Sequence, residues 1–198
     1  MVLFPFYQNI EDKTFLVIGG GRIAKEKLEK LRLFTDNIVV VARETDLTLL
    51  DGLAEGISDL LVRPFEDADL ELGDYVIGAT DDRELNRHIS TLCQEQKKPV
   101  NIVDDPELCT FIFPSLVKRG DLVVGITTGG KSPAFGQRVR KFLEAELPED
   151  TEAIIDDLYA LKLQLKETVP DQRERARQLK AYLNDRLNAD TPPEEETL

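Results

Sequence analysis

The sequence predicts an α/β fold, in which helices cover both faces of a parallel β-sheet. Short apolar segments of strand length alternate with longer segments of helical periodicity through the first half of the chain. Several of the strand segments are continuously apolar, as in strands that are buried on both faces of a parallel sheet. A glycine-rich stretch joins the first strand directly to the first helix, which makes that junction the first candidate for a functional motif.

Each element follows from the spacing of apolar residues. The predicted strands of the sheet cover residues 14–18, 37–41, 59–63, 74–79 and 99–103, and the helices between them cover 23–34, 47–55 and 83–97. After Phe113 and Pro114 the pattern changes to a strand at 121–127 and to a helix that Ser132 caps, Pro133 begins and Glu146 ends. Apolar residues then repeat at helical spacing over 154–169 and 176–187, which predicts two amphipathic helices. The tail at 191–198 combines prolines with glutamates and is expected to be disordered.

Composition and charge narrow the function. The net charge of the 198-residue chain is −13, which argues against a nucleic-acid binder. No apolar run reaches the length of a membrane span, and the first residues lack the basic region of a secretion signal, so a cytoplasmic protein without membrane association is expected. Cys93 and Cys109 lack C-x-x-C spacing and are interpreted as buried thiols. Because His88 is the single histidine, no metal site is predicted.

The glycine-rich stretch has the spacing G-x-G-x-x-A between a strand and a helix. Gly19 permits a tight turn, Gly21 lets a pyrophosphate approach the backbone, and the small Ala24 allows the helix to pack closely on the strand. The helix N-terminus also favours an anion. This setting predicts a Rossmann-type dinucleotide-binding domain, and the alternative is an ordinary glycine-rich turn.

Further polar candidates follow the ends of predicted strands, where ligands bind in open α/β sheets. Arg43 and Glu44 follow the second strand, and Thr80 and Asp81 follow the fourth. Glu44 would accept hydrogen bonds from an adenosine ribose, whereas Arg43 would suit a 2′-phosphate. The residues alone therefore leave NAD and NADP open.

Asp104 ends the fifth predicted strand and is the best candidate for a general base. A carboxylate at this place would face the cleft, where desolvation and the charge of a cofactor can tune its proton affinity. The alternative is structural, because Asp104, Asp105 and Pro106 also form an ordinary turn sequence.

Residues 125–132 match the P-loop pattern G-x-x-x-x-G-K-S after a strand and before a helix, which makes a P-loop nucleotidase a formal alternative. Gly125 falls inside the predicted strand rather than in a loop. Pro133 removes a backbone N–H from the helix start that would bind phosphate. Both features argue against a P-loop.

The chain contains one basic segment. Residues 118–141 carry six basic side chains and the single acid Asp121, for a net charge of +5. A basic segment in an acidic protein indicates either a localised site for a small anion or a solvated helix face.

The chain resembles the siroheme synthase dehydrogenase and chelatase module, the precorrin-2 dehydrogenase/sirohydrochlorin ferrochelatase family. The resemblance covers about residues 3–190 in one register. The segments that carry it are PF at 5–6, VIGGG at 17–21, ATDD at 79–82, LN at 85–86, NIVD at 101–104, FIFPS at 111–115 and TTGGKSP at 127–133.

The resemblance implies an organisation and an activity. It implies an NAD-binding Rossmann domain over 1–113, a dimerisation segment with a basic, substrate-facing stretch over 114–148, and a helical C-terminal part over 149–190. The implied activity is the NAD-dependent oxidation of precorrin-2 to sirohydrochlorin in siroheme biosynthesis by a homodimer. Insertion of Fe²⁺ as a second substrate, to give siroheme, is an optional further step. The alternative from another class is a non-catalytic NAD-sensing Rossmann module.

The resemblance also implies roles for single residues. Arg22, Ile23, Arg43 and Glu44 fall where the family contacts NAD, which favours NAD over NADP, and Asp104 falls on the catalytic aspartate. The tetrapyrrole substrate carries several carboxylates, for which the basic segment would supply counter-charges. The predicted cofactor-binding set is Gly19, Gly21, Arg22, Ile23, Arg43, Glu44, Thr80 and Asp81. The predicted substrate-binding set is Thr128, Lys131, Ser132 and Arg138.

Overall fold

The computed structural model describes residues 2–43 and 56–189. The chain divides after Phe113 into two compact units. In its described part, the first unit holds a five-stranded sheet, and the second holds a two-stranded sheet and helices. The predicted helix at 47–55, the residue Glu44 and the tail at 191–198 lie outside the described residues.

The sheet of the first unit confirms the predicted parallel arrangement. Its strands lie in the order β3-β2-β1-β4-β5, and each neighbouring pair is parallel. From β1 the chain builds outward to β3 and then returns to the other side of β1 for β4 and β5. The switch point therefore lies between β1 and β4. The strands are β1 (Phe15–Ile18), β2 (Ile38–Ala42), β3 (Asp59–Val62), β4 (Tyr75–Gly78) and β5 (Val100–Ile102).

Helices α1 (Arg22–Leu31) and α2 (Arg83–Glu95) cover opposite faces of this sheet. Val17 of β1 shares a core cluster with Leu28 of α1, whereas the neighbouring Leu16 shares the other core cluster with Ile89 of α2. Since successive strand side chains point to opposite faces, a continuous apolar run is what this double burial requires. Each fully buried leucine or isoleucine stabilises the unit by about 1.5–3 kcal/mol.

Some elements of the first unit differ from the sequence prediction. Helix α1 ends at Leu31 rather than at residue 34, because the N–H groups of Phe34 and Thr35 both donate to the Leu31 carbonyl and close a turn. Leu33 is 52% exposed, so the apolar spacing that predicted a longer helix is not matched by burial. Two 3₁₀-helices, Asp67–Leu72 and Pro106–Leu108, were not predicted, because both are too short to show helical periodicity.

In the second unit, β6 (Ser115–Arg119) and β7 (Leu122–Ile126) form an antiparallel hairpin. Gly120 has a φ of +53° in the turn between them, a conformation that favours glycine. The strand predicted at 121–127 is confirmed as β7. Strand β6 was not predicted, because only its leucine and valine are apolar and they do not form a recognisable pattern.

The rest of the second unit is helical, with α3 (Pro133–Glu146), α4 (Thr151–Thr168) and α5 (Gln172–Ala189). Helix α3 begins as predicted, because the N–H of Phe135 donates to the Ser132 hydroxyl (3.3 Å) and proline occupies the first helical position. The two helices predicted after it are confirmed as α4 and α5. Within the described ranges, no helix is both long and apolar enough to span a bilayer.

Candidate functional site

Two adjoining clefts of the first unit open at the carboxyl ends of the parallel strands. The glycine-loop cleft, of about 220 Å³, is lined by residues 19–21, by residues that follow β2 and β3, and by residues 79–81. The Asp104 cleft, of about 430 Å³, is lined by Ile23, by residues that follow β5, and by the same residues 79–81. Because both clefts meet at the switch point between β1 and β4, one elongated ligand can occupy them together.

The two outer glycines of the motif serve different purposes. Gly19 has a φ of +116°, and a Cβ at this position would collide with the carbonyl oxygen of Ala79, so the fold itself requires glycine. Gly21 has an ordinary φ of −74°, and a Cβ there would meet nothing within 4 Å. The folded chain does not explain a glycine at position 21, whereas a ligand packed against the bare backbone does.

The N-terminus of α1 is suited to an anion. Gly21 is the N-cap, no side chain accepts a hydrogen bond from the first turn, and no acidic residue occupies that turn. The first residue of α1 is Arg22, whose exposed guanidinium lies 3.1 Å from Glu26. Ala24 is fully buried, which lets α1 approach β1 closely. Uncapped N–H groups beside a cation fit the pyrophosphate of a dinucleotide.

Among the residues that the structure describes, two arginines line the glycine-loop cleft, and both are already paired. Arg43 lies 3.1 Å from Asp81 in an ion pair. Arg63, which the sequence reasoning missed, donates two hydrogen bonds to Asp69 (2.9 and 2.5 Å), whose side chain is only 4% exposed. These bonds favour the carboxylate and hold the pKa of Asp69 below its usual range. Glu44, the predicted ribose ligand, lies outside the described residues.

The loop after β4 is fixed by its own polar residues. The buried Asn86 donates from Nδ2 to the carbonyl of Thr80 (3.0 Å), and the Thr80 hydroxyl donates to Asn86 Oδ1 (2.8 Å). Asp82 caps α2 by accepting hydrogen bonds from two backbone N–H groups of the first turn (2.9 and 3.0 Å). Thr80 and Asp81 are thereby held at the boundary between the two clefts.

Asp104 lies on a tight turn directly after β5 and lines the larger cleft. Its φ is +61°, an uncommon conformation for a residue other than glycine. The residue is exposed, which corrects the expectation of a carboxylate desolvated by the strand end. Strand β5 places Asp104 at the cleft, but in the turn that follows the side chain is exposed, so the residues of the first unit do not desolvate it.

Cys109 stabilises the turn that carries Asp104. Its Sγ accepts a hydrogen bond from the N–H of Ile102 (3.1 Å) and lies 3.2 Å from the carbonyl oxygen of Asp105, to which the thiol can donate. Burial raises the pKa of the Cys109 thiol, so it stays protonated and keeps this donor. The sequence reasoning treated Cys109 as a simple buried thiol, because the turn that it braces exists only in the tertiary structure. Burial in the core raises the pKa of Cys93 to about 11.

The Asp104 cleft also contains two residues that the sequence reasoning missed. Arg83 and Arg87 of α2 line it. In the sequence, two arginines four residues apart are typical of any solvent-exposed helix face, so the pattern alone did not indicate a binding role. His88 of the same helix instead lies 2.7 Å from Asp67 in a half-exposed pair and lines neither cleft. Among the residues that the structure describes, no three His, Cys, Asp or Glu side chains are grouped as a metal site would require.

The predicted substrate-binding residues belong to the second unit. The Thr128 hydroxyl accepts a hydrogen bond from the N–H of Ser132 (3.0 Å), and the Ser132 hydroxyl caps α3. Both hydroxyl oxygens therefore brace the turn before α3, and each keeps its own proton for donation. Lys131 and Arg138 are exposed, which leaves their charges accessible to an anion.

The turn before α3 does not have the geometry of a P-loop. Gly125 lies within β7, paired across the hairpin with Leu116. Pro133 is the first residue of α3 and has no N–H to offer a phosphate. Both features argue against a P-loop at residues 125–132.

Comparison with known proteins identifies the family. Residues 6–115, which make up more than half of the chain, match the family described as "Putative NAD(P)-binding". The chain belongs to this family. Residues 119–146 match a second family model, described as "Sirohaem biosynthesis protein central".

Similar proteins agree with these matches. The chain is 38% identical over 177 residues to the siroheme synthase of Thioalkalivibrio sulfidiphilus and 37% identical over 185 residues to that of Methylobacillus flagellatus. These alignments cover 89% and 93% of this chain but 36% and 39% of the relatives, so the chain spans well under half of their length. The resemblance to the siroheme synthase module family is thereby confirmed.

A solved structure shows the same fold. The protein titled "SirC, precorrin-2 dehydrogenase" superimposes with a TM-score of 0.74 over 96% of this chain and 94% of its own, at 19% sequence identity. The predicted Rossmann-type sheet with additional C-terminal helices is therefore the observed fold.

Proposed function

We propose that the chain is an NAD-dependent dehydrogenase that oxidises precorrin-2 to sirohydrochlorin. One observation carries the proposal: the Asp104 cleft opens directly beside the glycine-loop cleft, and residues 79–81 form a wall of both. A substrate in the larger cleft would lie next to a dinucleotide that extends from the smaller one. The identity of that substrate rests on the motif resemblance to the siroheme synthase module family, and the similarity to siroheme synthases supports a tetrapyrrole.

The residues of the first unit fit a dinucleotide. The backbone N–H groups at the start of α1 would bind the pyrophosphate, and the bare backbone at Gly21 would let it approach. Arg43 and Glu44 would contact the adenosine ribose, and Thr80 and Asp81 would lie at the passage to the Asp104 cleft. The nicotinamide cofactor, when bound, supplies the hydride acceptor.

The cofactor proposed is NAD rather than NADP. A 2′-phosphate needs an available cation beside the ribose. Arg43 is paired with Asp81, and Arg63 is held by Asp69. Among the described residues, both arginines of this cleft therefore have an acidic partner in the same unit, which a 2′-phosphate would have to displace. Calorimetry with both dinucleotides tests this step, and tighter binding of NADP would contradict it.

Asp104 would take the proton that leaves the substrate as its hydride departs. A carboxylate can act as a general base when it reaches the proton directly, and Asp104 lies exposed in the cleft on a turn that Cys109 braces. Ile23 of α1, Ile102 of β5 and the residues that follow β4 line this cleft and would orient the ring. The alternative NAD-sensing module offers no reason for a second, larger cleft with a projecting acid beside the dinucleotide.

The second unit would supply substrate contacts and the interface of a homodimer. Lys131 and Arg138 would attract the carboxylates of the tetrapyrrole, and the Thr128 hydroxyl would donate a hydrogen bond to it. Phe135 and Phe142 lie seven residues apart on α3 and are 62% and 60% exposed, so they offer an apolar face for a second copy.

A cytoplasmic location is also predicted. Insertion of Fe²⁺ into sirohydrochlorin, for which Asp104 would take the pyrrole protons, is a further predicted activity. Acceleration of siroheme formation by the protein under anaerobic Fe²⁺ is the measurement that would establish this second activity.

The proposed dehydrogenase is tested by anaerobic incubation with precorrin-2 and NAD. We expect sirohydrochlorin and NADH to form together, in equal amounts. A protein that binds NAD but leaves precorrin-2 unchanged would instead be the NAD-sensing module.

A further inference from the structure

Arg83 and Arg87 lie on the same face of α2 and both line the Asp104 cleft. Residues four apart on a helix are neighbours, separated by a rise of about 6 Å along the axis. The two guanidinium groups therefore form one cationic patch at the wall of the cleft. Each can bind a carboxylate through two parallel hydrogen bonds.

The fold does not use either guanidinium. Within the described ranges, neither group takes part in a hydrogen bond or an ion pair, whereas Arg43 and Arg63 of the neighbouring cleft are both paired. Arg83 is also the first residue of α2, where a cation is repelled by the positive end of the helix dipole. The two arginines therefore leave their hydrogen-bonding capacity to a ligand.

The charge of the cleft indicates what that ligand is. Asp81, Asp104 and Asp105 also line it, and the chain as a whole carries −13. Cations inside such a cleft would offset the repulsion of a polycarboxylate, and among the described residues that line it, Arg83 and Arg87 are the cations. A pyrophosphate would bind at the start of α1, so an anionic ligand at Arg83 and Arg87 would be a different molecule.

We propose that Arg83 and Arg87 form a carboxylate-binding site that anchors acidic side chains of the tetrapyrrole in the Asp104 cleft. The identity of the ligand rests on the proposed function, whereas the site itself rests on the two unpaired cations. The arginines act in binding and orientation and take no part in proton transfer.

The test measures binding of a stable probe, so that it does not depend on turnover. The probe is uroporphyrin III, which carries both acetate and propionate side chains, titrated into the protein and followed by porphyrin absorbance. We expect Arg83→Gln and Arg87→Gln each to weaken binding about three- to tenfold, as the loss of one exposed charge-assisted contact does. The double variant should lose at least tenfold. Coproporphyrin III, which lacks the acetate carboxylates, should bind wild type more weakly.

Arg173→Gln is the matched control, because Arg173 is an exposed arginine on α5 in the second unit. It should bind uroporphyrin as wild type does. All variants should keep the thermal stability and the NAD affinity of wild type, since the substituted side chains are exposed and lie outside the glycine loop.

The outcomes separate this proposal from the proposed function. Equal uroporphyrin affinity in wild type and double variant, or no binding to wild type, would overturn the carboxylate site even if precorrin-2 is oxidised. A parallel loss of NAD affinity would overturn it too, because the arginines would then serve the dinucleotide. Loss of porphyrin binding in the double variant supports the site even if precorrin-2 is not oxidised.

Discussion

Replacing Gly21 by alanine should leave the fold intact and remove most of the dinucleotide affinity. The new Cβ would enter open space at a φ of −74°, and the entropic gain of about 0.4–1 kcal/mol is offset by the weaker N-capping of alanine, so the free energy of unfolding should change by less than about 1 kcal/mol. The same methyl group would occupy the place where the pyrophosphate contacts the backbone. Loss of one charge-assisted hydrogen bond, about 1.5–3 kcal/mol, lowers the affinity roughly tenfold to hundredfold. Gly21→Asp adds repulsion between negative charges and should abolish binding.

Gly19→Ala is the matched control for a structural effect. Its Cβ would meet the carbonyl oxygen of Ala79 at a φ of +116°, so this variant should lose stability by about 1–3 kcal/mol or more. Thermal unfolding measures the stability of both variants, and calorimetry with NAD measures the affinity. Wild-type NAD affinity in a folded Gly21→Ala protein would show that the dinucleotide does not pack against the backbone at position 21. A loss of stability in Gly21→Ala as large as that in Gly19→Ala would contradict the prediction of an intact fold.

The remaining predictions concern the Asp69 ion pair, the basic segment and the oligomeric state. Asp69→Asn should lower the free energy of unfolding by about 1–3 kcal/mol at pH 7. Pairing with Arg63 lowers the pKa of Asp69 in the folded state, so its contribution to stability is complete above about pH 4 and is lost as the pH falls through the pKa of the folded state. An equal loss of stability in Asp69→Asn at pH 7 and in strong acid would contradict this prediction. Neutralising Lys131 and Arg138 together should raise KM for precorrin-2 and leave the NAD affinity unchanged, and equal losses for both ligands would contradict this. Light scattering should show a homodimer at micromolar concentration and a monomer for Phe142→Glu, whereas a monomeric wild type would refute the interface.

The sheet and the glycine loop could be predicted from sequence because their signals are local. A strand buried on both faces needs a continuous apolar run, and β1, β2 and β4 each show one. The turn at Gly19 and the close approach at Gly21 each require a particular residue at a particular spacing. Strand ends then place Thr80 and Asp104 at one edge of the sheet without further information.

Other parts of the site depend on contacts between distant segments, which the sequence does not display. Cys109 braces the Asp104 turn only because the chain folds back beside β5. Arg63 is paired with Asp69, whereas Arg83 and Arg87 have no acidic partner among the described residues. The sequence does not distinguish these three arginines. The exposure of Asp104 likewise follows from a backbone turn at positive φ that an Asp-Asp-Pro sequence only permits.

We propose that precorrin-2 is oxidised in the Asp104 cleft with the Asp104 carboxylate as the base. The most direct test compares wild type and Asp104→Asn in anaerobic single-turnover experiments with precorrin-2 and saturating NAD. The variant should keep the NAD affinity of wild type, because Asp104 lines the other cleft, and should form sirohydrochlorin about a hundredfold to ten-thousandfold more slowly. An unchanged rate of sirohydrochlorin formation in Asp104→Asn would contradict the claim.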